Sequence, residues 1–143
     1  MTRMALELVP LCTIDIALAA EQIFVGEGPA GLRVIAEVET VTVSGERLSG
    51  SLKGRATADW LTIVGTVGTI DVRSTIETDD GAVVYLTYGG RMDLSQGPGG
   101  APIYTALTFE TGHPDYAWLN LVQAVAKGTL DGTSLSYEVA EVR

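Results

Sequence analysis

The sequence predicts a mainly β fold, a closed antiparallel β-barrel with one short helix. Three observations carry that expectation. Short runs of alternating apolar and polar residues recur along the chain, the two-residue period of a strand with one buried face. Turn signals separate these runs, above all Asp79-Asp80-Gly81 and Asp131-Gly132, where glycine accepts the positive φ that a tight reversal needs. Only one stretch, from Pro114 onward, carries helical spacing. A closed barrel is preferred to an open sheet because closure removes the unpaired edges that so many Val- and Ile-rich strands would expose.

In chain order, residues 11–18 alternate, with Cys12, Ile14, Ile16 and Leu18 on one face, and read as a half-buried strand. The next segment ends in glycines at 26, 28 and 31. They match the dinucleotide pattern formally, but β-branched residues follow where the pattern requires a helix to hold a pyrophosphate, so the segment reads as a connection between strands. Val34, Ala36 and Val38 then alternate as a strand. Gly45, Gly50 and Gly54 punctuate a stretch holding Arg47, Lys53 and Arg55, which is either a solvated loop or an anion-attracting rim beside a pocket mouth.

The centre of the chain holds runs at 60–64, 69–78 and 82–88, the last two joined as a hairpin by Asp79-Asp80-Gly81. Residues 89–102 are Gly-rich and aperiodic and read as a long mobile loop, a lid or an interface arm. A strand follows at 103–109. Pro114 suits the first turn of a short helix, with Asp115 near the positive end of its dipole. Strands at 121–126 and 135–142 complete the chain.

The totals narrow the function classes. A chain of 143 residues, 46% hydrophobic, buries a full core in a single domain, residues 1–143. Eighteen acidic against nine basic side chains leave a formal charge of −9, which repels nucleic acid and anionic membrane surfaces, so neither is expected as a partner. At the N-terminus, Glu7, Pro10 and Asp15 interrupt the apolar stretch, so the first twenty residues read as neither leader nor membrane span, and the cytoplasm is the expected compartment. One histidine and one cysteine do not make a zinc or iron site, and Cys12 in its apolar run reads as a small buried hydrophobe. Asp79-Asp80-Gly81 is too short for a calcium loop, and no G-x-S-x-G elbow supports a serine hydrolase. No metal or cofactor is expected.

Leu48-x-Gly50, Asp59-Trp60, Asp71-x-Arg73, the run Thr78 to Ala82, the block Phe109-Glu110-Thr111-Gly112 and the block Tyr116 to Asn120 together resemble the domain of unknown function three-two-three-seven family. The resemblance spans most of the chain. It implies a calycin-like or lipocalin-like barrel, often oligomeric, and no settled activity. Ser74 stands where the family carries an aromatic, Ile103-Tyr104 where a Phe-Arg pair is expected, and Thr40-Val41 where paired glycines are usual, so another member's ligand does not transfer.

Asp71 and Arg73 are the candidate catalytic residues. Two positions apart on one strand they share a face, where the guanidinium can keep the carboxylate ionised and in place. If that face lines the hollow, Asp71 exchanges a proton and Arg73 steadies an oxyanion; if it faces water, both belong to a solvated ladder with Thr75 and Glu77. Trp60, Tyr85, Tyr88, Tyr104 and Tyr116 are candidate pocket walls, with Asp59 and Asn120 as polar contacts for the ligand. Packing of the core and capping of turns are the competing roles of the aromatics and of Asp59. His113, before the helix, is read as a surface turn residue or, if it overhangs the barrel mouth, as a proton-transfer group.

The reading is a barrel that binds a small, largely apolar organic molecule and carries out cofactor-independent proton transfer: isomerisation, elimination or cyclisation, hence a lyase, isomerase or cyclase. The alternative is a non-catalytic carrier or an oligomeric interaction module, with the barrel plugged by its own side chains. A homo-oligomer is expected on either reading.

Overall fold

The computed structural model describes residues 4–143, so Met1, Thr2 and Arg3 of the N-terminal stretch lie outside the described residues. Ten strands follow in order: β1 (Leu8–Leu18), β2 (Ile23–Gly28), β3 (Gly31–Ser44), β4 (Gly50–Leu52), β5 (Ala58–Val64), β6 (Val67–Thr78), β7 (Val83–Asp93), β8 (Pro102–Glu110), β9 (Gln123–Asp131) and β10 (Ser134–Val142). All pairings are antiparallel. Ten strands fill eight wall positions. β4 and β5 both lie between β3 and β6, one above the other, and β1 and β2 share the other flank of β3. The wall closes because β1 bonds β10 along one edge and β3 along the other.

Alternation sets inside and outside as the sequence predicts. On β6, Ile70, Val72, Ser74 and Ile76 are buried while Asp71 and Arg73 are exposed. On β8, Ile103, Thr105, Leu107 and Phe109 face in. Ser74, in the place of an expected ring, shares a buried hydrogen bond with Thr57 at 3.1 Å, which satisfies both hydroxyls inside the wall.

One end of the barrel is stoppered by a short 3₁₀ helix (Pro114–Leu121), the only helix among the described residues. Pro114 opens it, the Asp115 N–H donates to His113 Nδ1 at 3.2 Å, and Leu119 inserts fully into the core. Asn120 clips the helix to the end of β8, accepting from the Thr111 N–H and donating to the Thr111 carbonyl, each at 2.9 Å. The β6–β7 hairpin turns at Gly81, φ 94°, as Asp79-Asp80-Gly81 predicts, and Tyr116 ties it to the helix by donating to Asp80 at 2.9 Å.

Three expectations are corrected. Residues 89–102 are not one long loop: β7 runs on to Asp93, with Gly89 and Gly90 paired to Ala106 and Thr105. A Cβ on Gly90 would collide with the Tyr104 carbonyl, so this glycine marks a close approach of two backbones inside the sheet. The segment before Gly31 is not merely a connection but contains β2, whose hairpin with β3 turns at residues 29–30. Finally, Arg47 and Lys53 do not form a common rim with Arg55. Arg47 pairs with Glu141 at 3.3 Å and Lys53 with Glu77 at 3.0 Å, separate pairings that disperse the cluster.

Candidate functional site

Strand register places one carboxylate inside the barrel. Ala36, Asp59, Val72, Tyr88, Leu107 and Ala124 are successive cross-strand partners, so all six project to the same side of the wall, the interior. Between Asp59↔Val72 and Thr62↔Thr69 the pairing of β5 with β6 is interrupted. In that gap the Asp71 N–H donates to Asp59 Oδ1 at 2.9 Å, so a side chain replaces the missing ladder bond. Burial raises the Asp59 carboxyl from its ordinary 3.8 to about 6; the bond from Asp71 opposes the rise, and the Asp71 charge adds to it.

Two phenols share the interior with it. Tyr88 and Tyr137 meet edge to face, centroids 5.5 Å apart, and are 6% and 2% exposed. Burial is the main cause that raises the pKa of each, and the negative charge of Asp59 adds to both. Among the described residues, neither hydroxyl is engaged by a protein hydrogen bond that would offset the burial. On β8, Thr105 lies in register between the Tyr88 and Tyr137 levels, and its Oγ1 is sealed from solvent with no hydrogen-bond partner among the described residues. Tyr137 fits because its cross-strand partner is Gly128: a Cβ there would stand 2.5 Å from the ring. In a mainly apolar interior, these groups can hold and relay protons to an oxygen-bearing guest.

The predicted site residues divide sharply. Asp59 and Tyr88 come together inside. Asp71 and Arg73 stand on the outer wall, so the interior placement their catalytic assignment requires does not hold; the polar face of β6 is its wet face, as the ladder alternative has it. Arg73 instead lies over the outer-facing Trp60 ring at 5.9 Å. Tyr85 and Tyr104 also point outward, 38% and 55% exposed. Tyr116 and Asn120 secure the helix, as described above, and line no pocket with the others. Cys12 is buried, its thiol pushed up to about 12 mainly by desolvation, which leaves it protonated and inert.

Sequence reasoning missed Tyr137 and Thr105. The available signal for Tyr137 was its place among Leu135 and Val139 on the apolar face of β10. Among the described residues, no group of three or more His, Cys, Asp or Glu is arranged to hold a metal, and no helix is long and apolar enough to cross a membrane.

A second feature lies outside. A groove of about 1410 Å³ crosses the outer faces of β1, β10, β9, β8 and β7. Pro10, Ala106, Val125 and Ala140 give it an apolar floor, and the cross-strand row Arg91, Tyr104, Lys127 forms one bank.

A family described as "Protein of unknown function (DUF3237)" matches residues 6–142. No curated protein matches the chain. Among solved structures, a β-barrel-like protein from Acinetobacter baumannii is 29% identical over 99% of both chains, with a TM-score of 0.89. A conserved protein of unknown function from Rhodopseudomonas palustris is 26% identical over 99% of this chain and 100% of its own, with a TM-score of 0.86. An enzyme from Penicillium herquei shares the fold at 21% identity over 99% of this chain and 98% of its own, with a TM-score of 0.67.

Proposed function

The chain belongs to this family of unknown function, and from that premise we propose that its barrel binds a small, largely apolar organic molecule beside Asp59, Tyr88 and Tyr137 and transfers protons to or from it. The observation that carries the reading is a half-buried carboxyl set beside two buried phenols in a mainly apolar interior, its pKa raised to about 6. A carboxyl poised there exchanges protons near neutral pH, where an ordinary aspartate is a weak base. The phenols donate to an oxygen on which negative charge develops. This chemistry suits isomerisation, elimination or cyclisation and needs no cofactor. That the barrel shape also serves an enzyme in Penicillium herquei makes the fold compatible with catalysis and says nothing of the substrate. Its lone, unpaired Cys12 suits the reducing cytoplasm.

A second reading has its own support. Leu48, Val84, Ile76, Leu107 and Leu119 are fully buried within the barrel, Leu107 level with Asp59, and the 1410 Å³ groove lies outside, as in a non-catalytic interaction module.

A thermal-shift screen of cyclic ketones, lactones and phenols against wild type, Asp59→Asn and Tyr137→Phe separates the two. The proton-transfer reading expects compounds that raise the wild-type Tm, lose at least about tenfold in affinity on Tyr137→Phe, and bind Asp59→Asn without turnover. If no compound stabilises the wild type, or Tyr137→Phe binds every hit unchanged, the interior site is wrong and the interaction module stands.

A further inference from the structure

The outer groove is less acidic than the chain as a whole. Across the sequence acids outnumber bases eighteen to nine, whereas the charged side chains lining the groove are Arg47, Arg91 and Lys127 with Glu46 and Glu138. Arg47 is held by Glu141, but Arg91 and Lys127 form no ion pair among the described residues. They flank Tyr104 in one cross-strand row above the apolar floor, with Glu138 opposite Lys127 on the next strand. At about 1410 Å³ the groove exceeds the usual 300–1,000 Å³ of small-molecule pockets, about the upper bound for a drug-sized guest, and suits a polypeptide.

The same chain carries a complementary shape. β2 is an edge strand that pairs only with β3. Its side chains Ile23, Phe24 and Val25 are 46%, 70% and 62% exposed, with Val25 thrown out at an irregularity between Phe24 and Gly26. Exposed acids flank them, Glu21 before and Glu27 after. An uncovered apolar edge is a template for association, and soluble proteins ordinarily protect it.

We propose that the β2–β3 hairpin of one copy seats in the outer groove of a second copy, Phe24 and Val25 against Ala106 and Val125, with Glu27 beside Arg91 and Lys127. Each copy offers both a hairpin and a groove, so a two-fold exchange buries both surfaces twice and closes the assembly as a dimer. Strong net negative charge repels two copies in most orientations, and Arg91, which has no ion-pair partner among the described residues, favours the one that brings Glu27 to it. The inference is independent of the interior site.

Sedimentation velocity over a concentration series tests it. Wild type is expected to dimerise. Phe24→Asp on the hairpin and Ala106→Glu in the groove, both at exposed positions, each weaken dimerisation at least about tenfold with an unchanged near-UV spectrum. Arg91→Glu weakens it as well, and adding Glu27→Arg to that chain restores it. A mixture of Phe24→Asp and Ala106→Glu chains associates more tightly than either variant alone, because one intact hairpin meets one intact groove. A wild type that stays monomeric overturns the proposal and leaves the groove to a different protein. A dimer indifferent to both single substitutions overturns it too.

Discussion

Asp59 is the residue at which stability and the proposed chemistry pull in opposite directions. Its folded pKa of about 6 lies above the ordinary 3.8, so between those values the native state holds more proton than the unfolded chain. The contribution of Asp59 to stability is therefore highest below about pH 4, falls as pH rises through the window, and levels off above about pH 6. Asp59→Asn keeps an oxygen to accept the Asp71 N–H and removes the ionisation. Chemical denaturation should show the variant more stable than wild type at pH 8, by on the order of 2 kcal/mol, with the difference gone at pH 4. A constant difference across that range would mean that Asp59 titrates normally. A residue whose replacement stabilises the fold is one retained for something other than the fold. The sequence shows Asp59-Trp60 and Asp71-x-Arg73 equally well, but alternation identifies the two faces of a strand without saying which is inside. The sheltered carboxylate is Asp59 because its strand partner is Val72; Asp71 occupies the opposite face and contributes its backbone N–H.

At the scale of elements, glycine proved the hardest residue type to read. Gly81 and Gly132 adopt positive φ at hairpin turns, and the Asp-Gly signal identifies both directly. Gly89, Gly90 and Gly128 lie inside strands, where their role depends on a partner strand remote in sequence, so local composition suggests a loop where the sheet requires a missing side chain. Gly128 makes this testable. A methyl group there overlaps the Tyr137 ring, so Gly128→Ala must drive the ring toward Tyr88 or distort β9. The expected cost is about 1–3 kcal/mol, read from denaturant unfolding, with a changed near-UV tyrosine signal. Adding Tyr137→Leu should recover most of the loss, since the smaller side chain vacates the space. A Gly128→Ala protein with wild-type stability and spectrum would show that the ring does not rest on that glycine. The helix, by contrast, was legible from Pro114 and its spacing, because its start depends on neighbours in sequence.

For the whole molecule, closure decides how the barrel comes apart. β3 spans fourteen residues: its first half carries β2 and β5 away from the stopper, and its second half bonds β1 and β4 near it. β1 in turn bonds β10, so no wall segment separates without breaking the seam. Overall closure was legible from the number of alternating runs, but the sharing of one wall position by β4 and β5 was not, because it rests on long-range register. The two tryptophans report on opposite parts of this structure. Trp60 sits on β5 with Arg33 donating to its carbonyl at 2.7 Å, and Trp118 packs against the core in the stopper helix under the Arg47 guanidinium at 5.2 Å. Trp60→Phe and Trp118→Phe therefore each leave a single reporter. If β3 couples the two ends, the remaining tryptophan of each variant should follow a transition that coincides with the far-UV signal of the same protein. A Trp60 transition at lower denaturant than the far-UV change would mean that β2, the first half of β3 and β5 open as a separate unit. Guest entry to Asp59 would then track that local opening in place of the global stability.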